Sequence, residues 1–286
     1  MFVEVNGNRM FFDVSGPKIR AVDGVAVEVP TLLLLHGGPG FDHMGMKGEL
    51  LPLAEHCQLV WIDHRGNGRS QGDDPAQWNL EQWADDVYGF CQAVGIEKPI
   101  VLGQSFGGHV VQAYGIKYPE HASKLIISSI CAKWDFNLCV QRFTERGGAE
   151  IGRIAANMWG RMEDDDIAEY MRVCHPIYNV SAAPNAKPTP TIQKFKVLQH
   201  YLKPGAQFQT IDMHADLAKI TCPTLVLAGG QDPIIPWELT RKMADALVNS
   251  EMRYVQMEHC GHGIWRDDGP AARAVILDFI FDKNPA

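Results

Sequence analysis

Apolar positions along the chain gather in short dense runs, broken by Gly, Pro and Asn and separated by segments of helical period. The opening FVEV, NGN, RMFFDVS alternates apolar and polar residues around an Asn-Gly turn and predicts a hairpin. A strand-like piece over Val25–Val29 follows, and then TLLLLHGGPG, an apolar run stopped by Gly and Pro. Residues 47–56 read as helical and QLVWID (58–63) as a buried strand. Over 79–95 the apolar positions Leu80, Trp83, Val87, Phe90, Cys91 and Val94 recur at helical spacing, with Asn79 placed to cap the first turn. A strand over 99–104, a helix over Phe106–Tyr118 and the strand KLIISS (124–129) come next. The rhythm resumes with PTLVLAG (223–229), a helix near 238–247, RYVQM (253–257) and a last helix near 270–282. Alternation of this kind predicts an α/β fold, a mostly parallel sheet with helices on both faces.

Between Ile130 and Ala215 the rhythm changes. No strand-like run stands out, helix formers, Met and charge dominate, and a small-residue linker, NVSAAPNAKPTP, follows. We read residues 131–214 as a helical cap inserted into a core made of 1–130 and 215–286, lying over the sheet edge where α/β folds bind ligands.

The 286 residues, 46% hydrophobic and 21% charged, describe an ordinary globular chain. A net charge of −8 with no dense Lys/Arg stretch excludes nucleic acid as a main partner and gives no basic helix for a membrane surface. The longest apolar run is too short to span a bilayer, and the N-terminus lacks the pattern of a signal peptide. Seven scattered cysteines suit free thiols in a reducing compartment, so a cytoplasmic location is expected. A homo-oligomer is compatible with this composition.

The candidate chemistry begins at Gly103-Gln104-Ser105-Phe106-Gly107, a G-x-S-x-G pattern between a predicted strand and a predicted helix. Ser105 there is either a helix cap in a glycine-rich turn or a nucleophile held on a sharp, strained turn. A nucleophilic serine needs a base, and the base an orienting acid. Asp232 follows the strand PTLVLAG and His262 follows RYVQM, so both fall at the same sheet edge as Ser105. Glu238 and His259 are rivals, and Asp232-Pro233 could instead cap a helix, but Gly261-His262-Gly263 favours His262 as the base. In the loop HGGPG (36–40), Gly38 offers one N–H for an oxyanion hole and Phe106 the other, with Gly37 lining the approach. His36 is expected to order that loop. Asp63, Arg65, Gly66 and Ser70 are expected to brace the sheet edge. His259 and His262 lack the further ligands that zinc needs, so neither metal nor cofactor is expected.

On these motifs the chain resembles the α/β-hydrolase superfamily over nearly its whole length, and HGGPG with DHRGNGRS (63–70) is similar to the branch of prolyl iminopeptidases and related esterases. The resemblance implies Ser105 as nucleophile, Asp232 as acid and His262 as base, with Gly38 and Phe106 shaping the oxyanion hole. Two positions depart from the iminopeptidase pattern: Phe106 stands where Trp is usual, and His64 where Gln is usual. Those enzymes hold the substrate's free amine with cap carboxylates. The candidates here are Glu145, Glu150, Glu163 and Asp164–Asp166, although MEDDDIAEY also reads as the solvated acidic start of a helix. Trp134, Phe136, Met158, Trp159 and Tyr178 either line an acyl pocket or form the cap's own core.

The sequence thus points to a serine hydrolase acting on a small ester, lactone or amide through an acyl-enzyme, its partner a small-molecule substrate. The alternatives are an aminopeptidase releasing N-terminal proline, a carbon–carbon bond hydrolase, and a ligand-binding receptor without turnover.

Overall fold

The computed structural model of the chain describes residues 1–181 and 190–282. Its N-terminal hairpin pairs β1 (Phe2–Val5) with β2 (Asn8–Ser15) around Asn6 and Gly7, both at positive φ. Strands β3 (Ile19–Val22) and β4 (Val25–Glu28) pair only with each other, as a separate two-stranded ribbon. The strand-like piece at Val25–Val29 therefore forms, but outside the main sheet.

The main sheet continues through β5 (Thr31–Leu35), β6 (Gln58–Ile62), β7 (Ile100–Gln104), β8 (Lys124–Ser128), β9 (Thr224–Gly229) and β10 (Met252–Met257). Its order is β1-β2-β6-β5-β7-β8-β9-β10, antiparallel between β1, β2 and β6 and parallel from β6 onward. All five residues of β5 are buried, because both faces of the sheet are covered. Leu33 and Leu35 join the core on one face, with α2 (Leu80–Val94) and α3 (Phe106–Lys117). Leu32 and Leu34 join the core on the other, with α1 (Met44–Leu50) and the last helix, Gly269–Ile280. Burying one such leucine is worth about 2 kcal/mol, so the run stabilises β5 from both faces.

Asn79 caps α2 as expected, its side chain accepting from the Gln82 N–H. The segment read as helical over 47–56 is α1 followed by a 3₁₀ turn over Leu51–Glu55. Pro52 cannot donate the next α-helical hydrogen bond, so the helix tightens there.

Between β8 and β9 the described residues form helices only: α4 (Phe136–Gly147), α5 (Ala149–Gly160), α6 (Asp164–Val173), α7 (Phe195–Leu202) and α8 (Gln207–Thr210), with short 3₁₀ turns. Most of the linker NVSAAPNAKPTP, residues 182–189, lies outside the described residues. Among the described residues no helix is long and apolar enough to cross a membrane.

Neighbour β6 lies to one side of β5 and β7 to the other, so the strand order reverses at β5. The parallel register aligns Leu35 with Gly103, Gln104 with Ser128, Ser128 with Leu227 and Gly229 with Met257. The loops carrying Gly38, Ser105, Asp232 and His262 accordingly leave one edge of the sheet, at the switch point where α/β folds form their ligand crevice.

Candidate active site

Ser105 sits between β7 and α3 at φ 54 and ψ −121, a left-handed conformation that costs a residue with a Cβ about 1–3 kcal/mol. Its own N–H donates to the Ser128 carbonyl at 2.9 Å, and its carbonyl accepts from the His109 N–H at 3.1 Å. The flanking glycines permit the bend. A Cβ on Gly103 would collide with the Gly107 carbonyl, and one on Gly107 with the carbonyls of Leu35 and His36. Although Ser105 occupies the N-cap position of α3, its side chain makes no capping hydrogen bond. The hydroxyl is thus not spent on capping the helix, and the residue is partly exposed.

Loop 36–40 faces this turn. Gly38 has φ +64, and a Cβ there would strike the Phe41 ring, while one on Gly37 would meet Gln104 Oε1. His36 holds the loop: Nδ1 donates to the Gly37 carbonyl at 3.0 Å and Nε2 accepts from the His64 N–H at 3.2 Å. That pattern requires the neutral imidazole, and burial pushes the His36 pKa down. Phe106, in the first helical turn, has an N–H that the helix leaves unpaired. Its ring is fixed edge-on by Trp83, Tyr201 and His64, with centroids at 4.8, 5.2 and 5.1 Å. His64 is wholly buried with Nε2 unpartnered, and burial with the nearby His36 holds its pKa well below the ordinary value.

Asp232, 3% exposed, lies just past β9. Its Oδ1 accepts from the N–H groups of Ile234 and Ile235 at 2.9 and 3.0 Å, and its Oδ2 meets His262 Nδ1 at 2.7 Å. The carboxylate is thereby aimed at the imidazole, and Nε2 of His262 lies outside this bond. His259, the rival base, is exposed on the turn after β10, and Glu238 is paired with Arg142.

Two supports of this arrangement are invisible in the sequence. Gln104 Nε2 donates to the His262 carbonyl at 3.2 Å, linking the residue before Ser105 to the histidine loop. Tyr178 accepts the His262 N–H at 2.8 Å, and its ring meets the imidazole edge-on at 5.6 Å. No local signal marks either contact, because each joins segments far apart in the chain.

Trp134 donates to the Ile234 carbonyl at 3.0 Å and packs on Trp159 and Phe208, with centroids at 5.0 and 5.1 Å. The two tryptophans keep 5% and 4% exposure, which is all they can present to a ligand. Of the candidate acidic side chains of the helical segment, Asp165 is exposed and the others are engaged locally. Glu145 pairs with Arg142, Glu150 with Arg153 and Asp166 with Arg161, Glu163 caps α6, and Asp164 accepts from Gln199. In the DHRGNGRS segment, Arg65 donates to both oxygens of Asp86 at 2.6 and 2.7 Å, fully buried. Burial alone would raise the Asp63 pKa, but His43 and the Arg69 N–H bring it down to about 2. Among the described residues no group of three or more His, Cys, Asp or Glu is placed to hold a metal ion.

Comparison with known proteins agrees with this architecture. The family described as serine aminopeptidase, S33, matches residues 30–269. The proline iminopeptidase PfmaB of Pestalotiopsis fici is 28% identical over 273 residues, covering 92% of each chain. A 2-hydroxymuconate semialdehyde hydrolase of a Pseudomonas species is 26% identical over 277 residues, covering 89% of this chain and 88% of that one. Among solved structures, the proline iminopeptidase of Mycobacterium smegmatis shares the fold with a TM-score of 0.74 at 20% identity, over 99% of this chain and 97% of the other.

Proposed function

Because the chain belongs to the serine aminopeptidase S33 family of the α/β-hydrolase superfamily, we propose that it is a serine hydrolase working through an acyl-enzyme on a small, uncharged carbonyl substrate, an ester or lactone before an amide. The observation that carries the chemistry is a strained Ser105 on the same sheet edge as a histidine whose Nδ1 meets Asp232 at 2.7 Å.

In this mechanism His262 Nε2 takes the Ser105 proton as Oγ attacks the carbonyl carbon. The oxyanion is received by the N–H groups of Phe106 and Gly38, each worth about 3–4 kcal/mol to the transition state. The imidazolium then protonates the leaving oxygen or nitrogen, and water enters by the reverse route to release the acid. Asp232 holds the tautomer and stabilises the imidazolium. Residues 131–214 act as the cap over a core of 1–130 and 215–286, with Gly37, Trp134 and Trp159 contributing to the wall of the acyl pocket.

The choice of an uncharged substrate rests on the fate of the carboxylates. A free substrate amine needs an unspent, partly buried acid to grip it. The buried acids are Asp42, Asp63, Asp86, Asp166 and Asp232, and each already accepts from named donors. Glu238, partly buried, leaves Oε2 without a hydrogen-bond partner among the described residues, but its charge is balanced by Arg142 through Oε1. No Asp or Glu occurs in residues 182–189. The second reading, an aminopeptidase for N-terminal proline, is favoured by the 28% identity to a proline iminopeptidase. Initial rates on a short-chain p-nitrophenyl ester and on proline p-nitroanilide separate the two. The ester should win by orders of magnitude; a faster prolyl amide would replace this reading with the second.

A further inference from the structure

Arg146, at the C-terminal end of α4, lies outside every motif discussed so far, yet its guanidinium spans two loops. One terminal nitrogen donates to the carbonyl of Gln231, the residue before Asp232, at 2.9 Å. The other donates to the carbonyl of Asn179 at 2.9 Å.

Each of those carbonyls belongs to a segment that carries one half of the acid–histidine pair. Gln231 begins the turn whose next residues give Asp232 its two backbone donors, and its own N–H reaches the Cys260 carbonyl at 2.8 Å. Asn179 adjoins Tyr178, which accepts the His262 N–H, and the Asn179 amide donates to the Gly263 carbonyl at 3.1 Å. Gly261 and Gly263 are packed directly on residues 178–179, so the histidine loop rests on this stretch of the helical segment. Asp267 closes the circuit, accepting from the N–H groups of Gly261, Val180 and Ser181 at 2.6, 3.0 and 2.8 Å. A planar guanidinium can hold two carbonyls at a fixed angle, which an ammonium on a flexible stem does poorly.

We infer that Arg146 is a positioning residue of the site: it clamps the acid loop to the segment that seats the histidine loop, and so sets the Asp232–His262 geometry without touching substrate. This rests on the serine-hydrolase reading for its kinetic consequence. Its structural consequence, the state of the His262 Nδ1–H bond, stands apart from that reading.

Both are measured in the full-length protein as wild type, Arg146→Gln and Arg146→Lys. The readouts are kcat and KM on a p-nitrophenyl ester, the thermal midpoint, and the downfield proton resonance of His262 Nδ1–H, assigned by its loss in Asp232→Asn. We expect Arg146→Gln to keep its fold and lose about 10- to 100-fold in kcat, because misplacement on the scale of 1 Å costs that much, with KM within about threefold. Its downfield resonance should shift or broaden, and Arg146→Lys should fall between Gln and wild type on both readouts. Wild-type kcat and resonance in a folded Arg146→Gln overturn the inference. If Arg146→Gln fails to fold, Arg146→Lys decides: intermediate values support the clamp, and wild-type values overturn it. If wild type does not cleave the ester, the hydrolase reading fails by itself, and the resonance in the Arg146 variants still decides the clamp.

Discussion

Gln104 donates from Nε2 to the main-chain carbonyl of His262 at 3.2 Å, across 158 positions of sequence. The residue before Ser105 therefore helps hold the loop of the histidine, while its Oε1 lies where a side chain on Gly37 would have to go. One amide at the end of β7 thus meets two loops of the site. Gln104→Ala should lower kcat by about 5- to 10-fold with KM nearly unchanged, since a single such bond is worth about 1 kcal/mol. Steady-state kinetics on the ester check this, and an unchanged kcat would show the bond to be idle.

The turn around Ser105 tolerates no side chain at its second glycine. Gly107→Ala would drive a methyl into the carbonyls of Leu35 and His36, which are fixed in or beside the central strand β5. Overpacking against backbone should cost about 3 kcal/mol or more, seen as a large drop in thermal midpoint or failure to fold. A variant with the wild-type midpoint would mean that the turn relaxes easily.

His109, four residues beyond Ser105, should make stability depend on pH. Its imidazole is buried between the Tyr201 hydroxyl and the Cys131 carbonyl, each at 2.8 Å, and burial pushes its pKa down to about 4. The unfolded chain takes up this proton near pH 6.5, so the stabilisation is complete above that pH and is lost as pH falls towards 4. The full span is worth about 3 kcal/mol. Urea unfolding at pH 7.5 and 4.5 should show a weaker pH dependence in His109→Gln than in wild type. Equal dependence in both would remove His109 as a cause. The part that persists is expected from His36 and His64, whose pKa values burial also lowers.

Much of this architecture is legible along the chain because it is written in local physics. The uninterrupted apolar run Leu32–Leu35 suits a strand covered on both faces, whereas the helical reading of 47–56 passes over Pro52, whose missing N–H turns the helix into a 3₁₀ turn. Glycines 103 and 107 mark a turn that needs close backbone approach, and Asp232 and His262 follow apolar runs that can only be strands of the same sheet. Partner choice is not local. The pattern at Val25–Val29 says strand but not with which neighbour, and it pairs only with β3. The support of His262 by Gln104 and Tyr178, like the span of Arg146 from Gln231 to Asn179, depends on loops that meet only after the chain has folded. The carboxylates of the helical segment illustrate the converse: their composition fits an amine site, while Glu145, Glu150 and Asp166 are paired with Arg142, Arg153 and Arg161.

The central claim is that Ser105 is the group that becomes covalently attached. Treating the protein with a fluorophosphonate and locating the adduct by peptide mass spectrometry tests it most directly. The account predicts stoichiometric phosphonylation on Ser105 with parallel loss of ester hydrolysis, and labelling slowed by orders of magnitude in His262→Gln. Full ester turnover with Ser105 unmodified, or with the label on another residue, would contradict it.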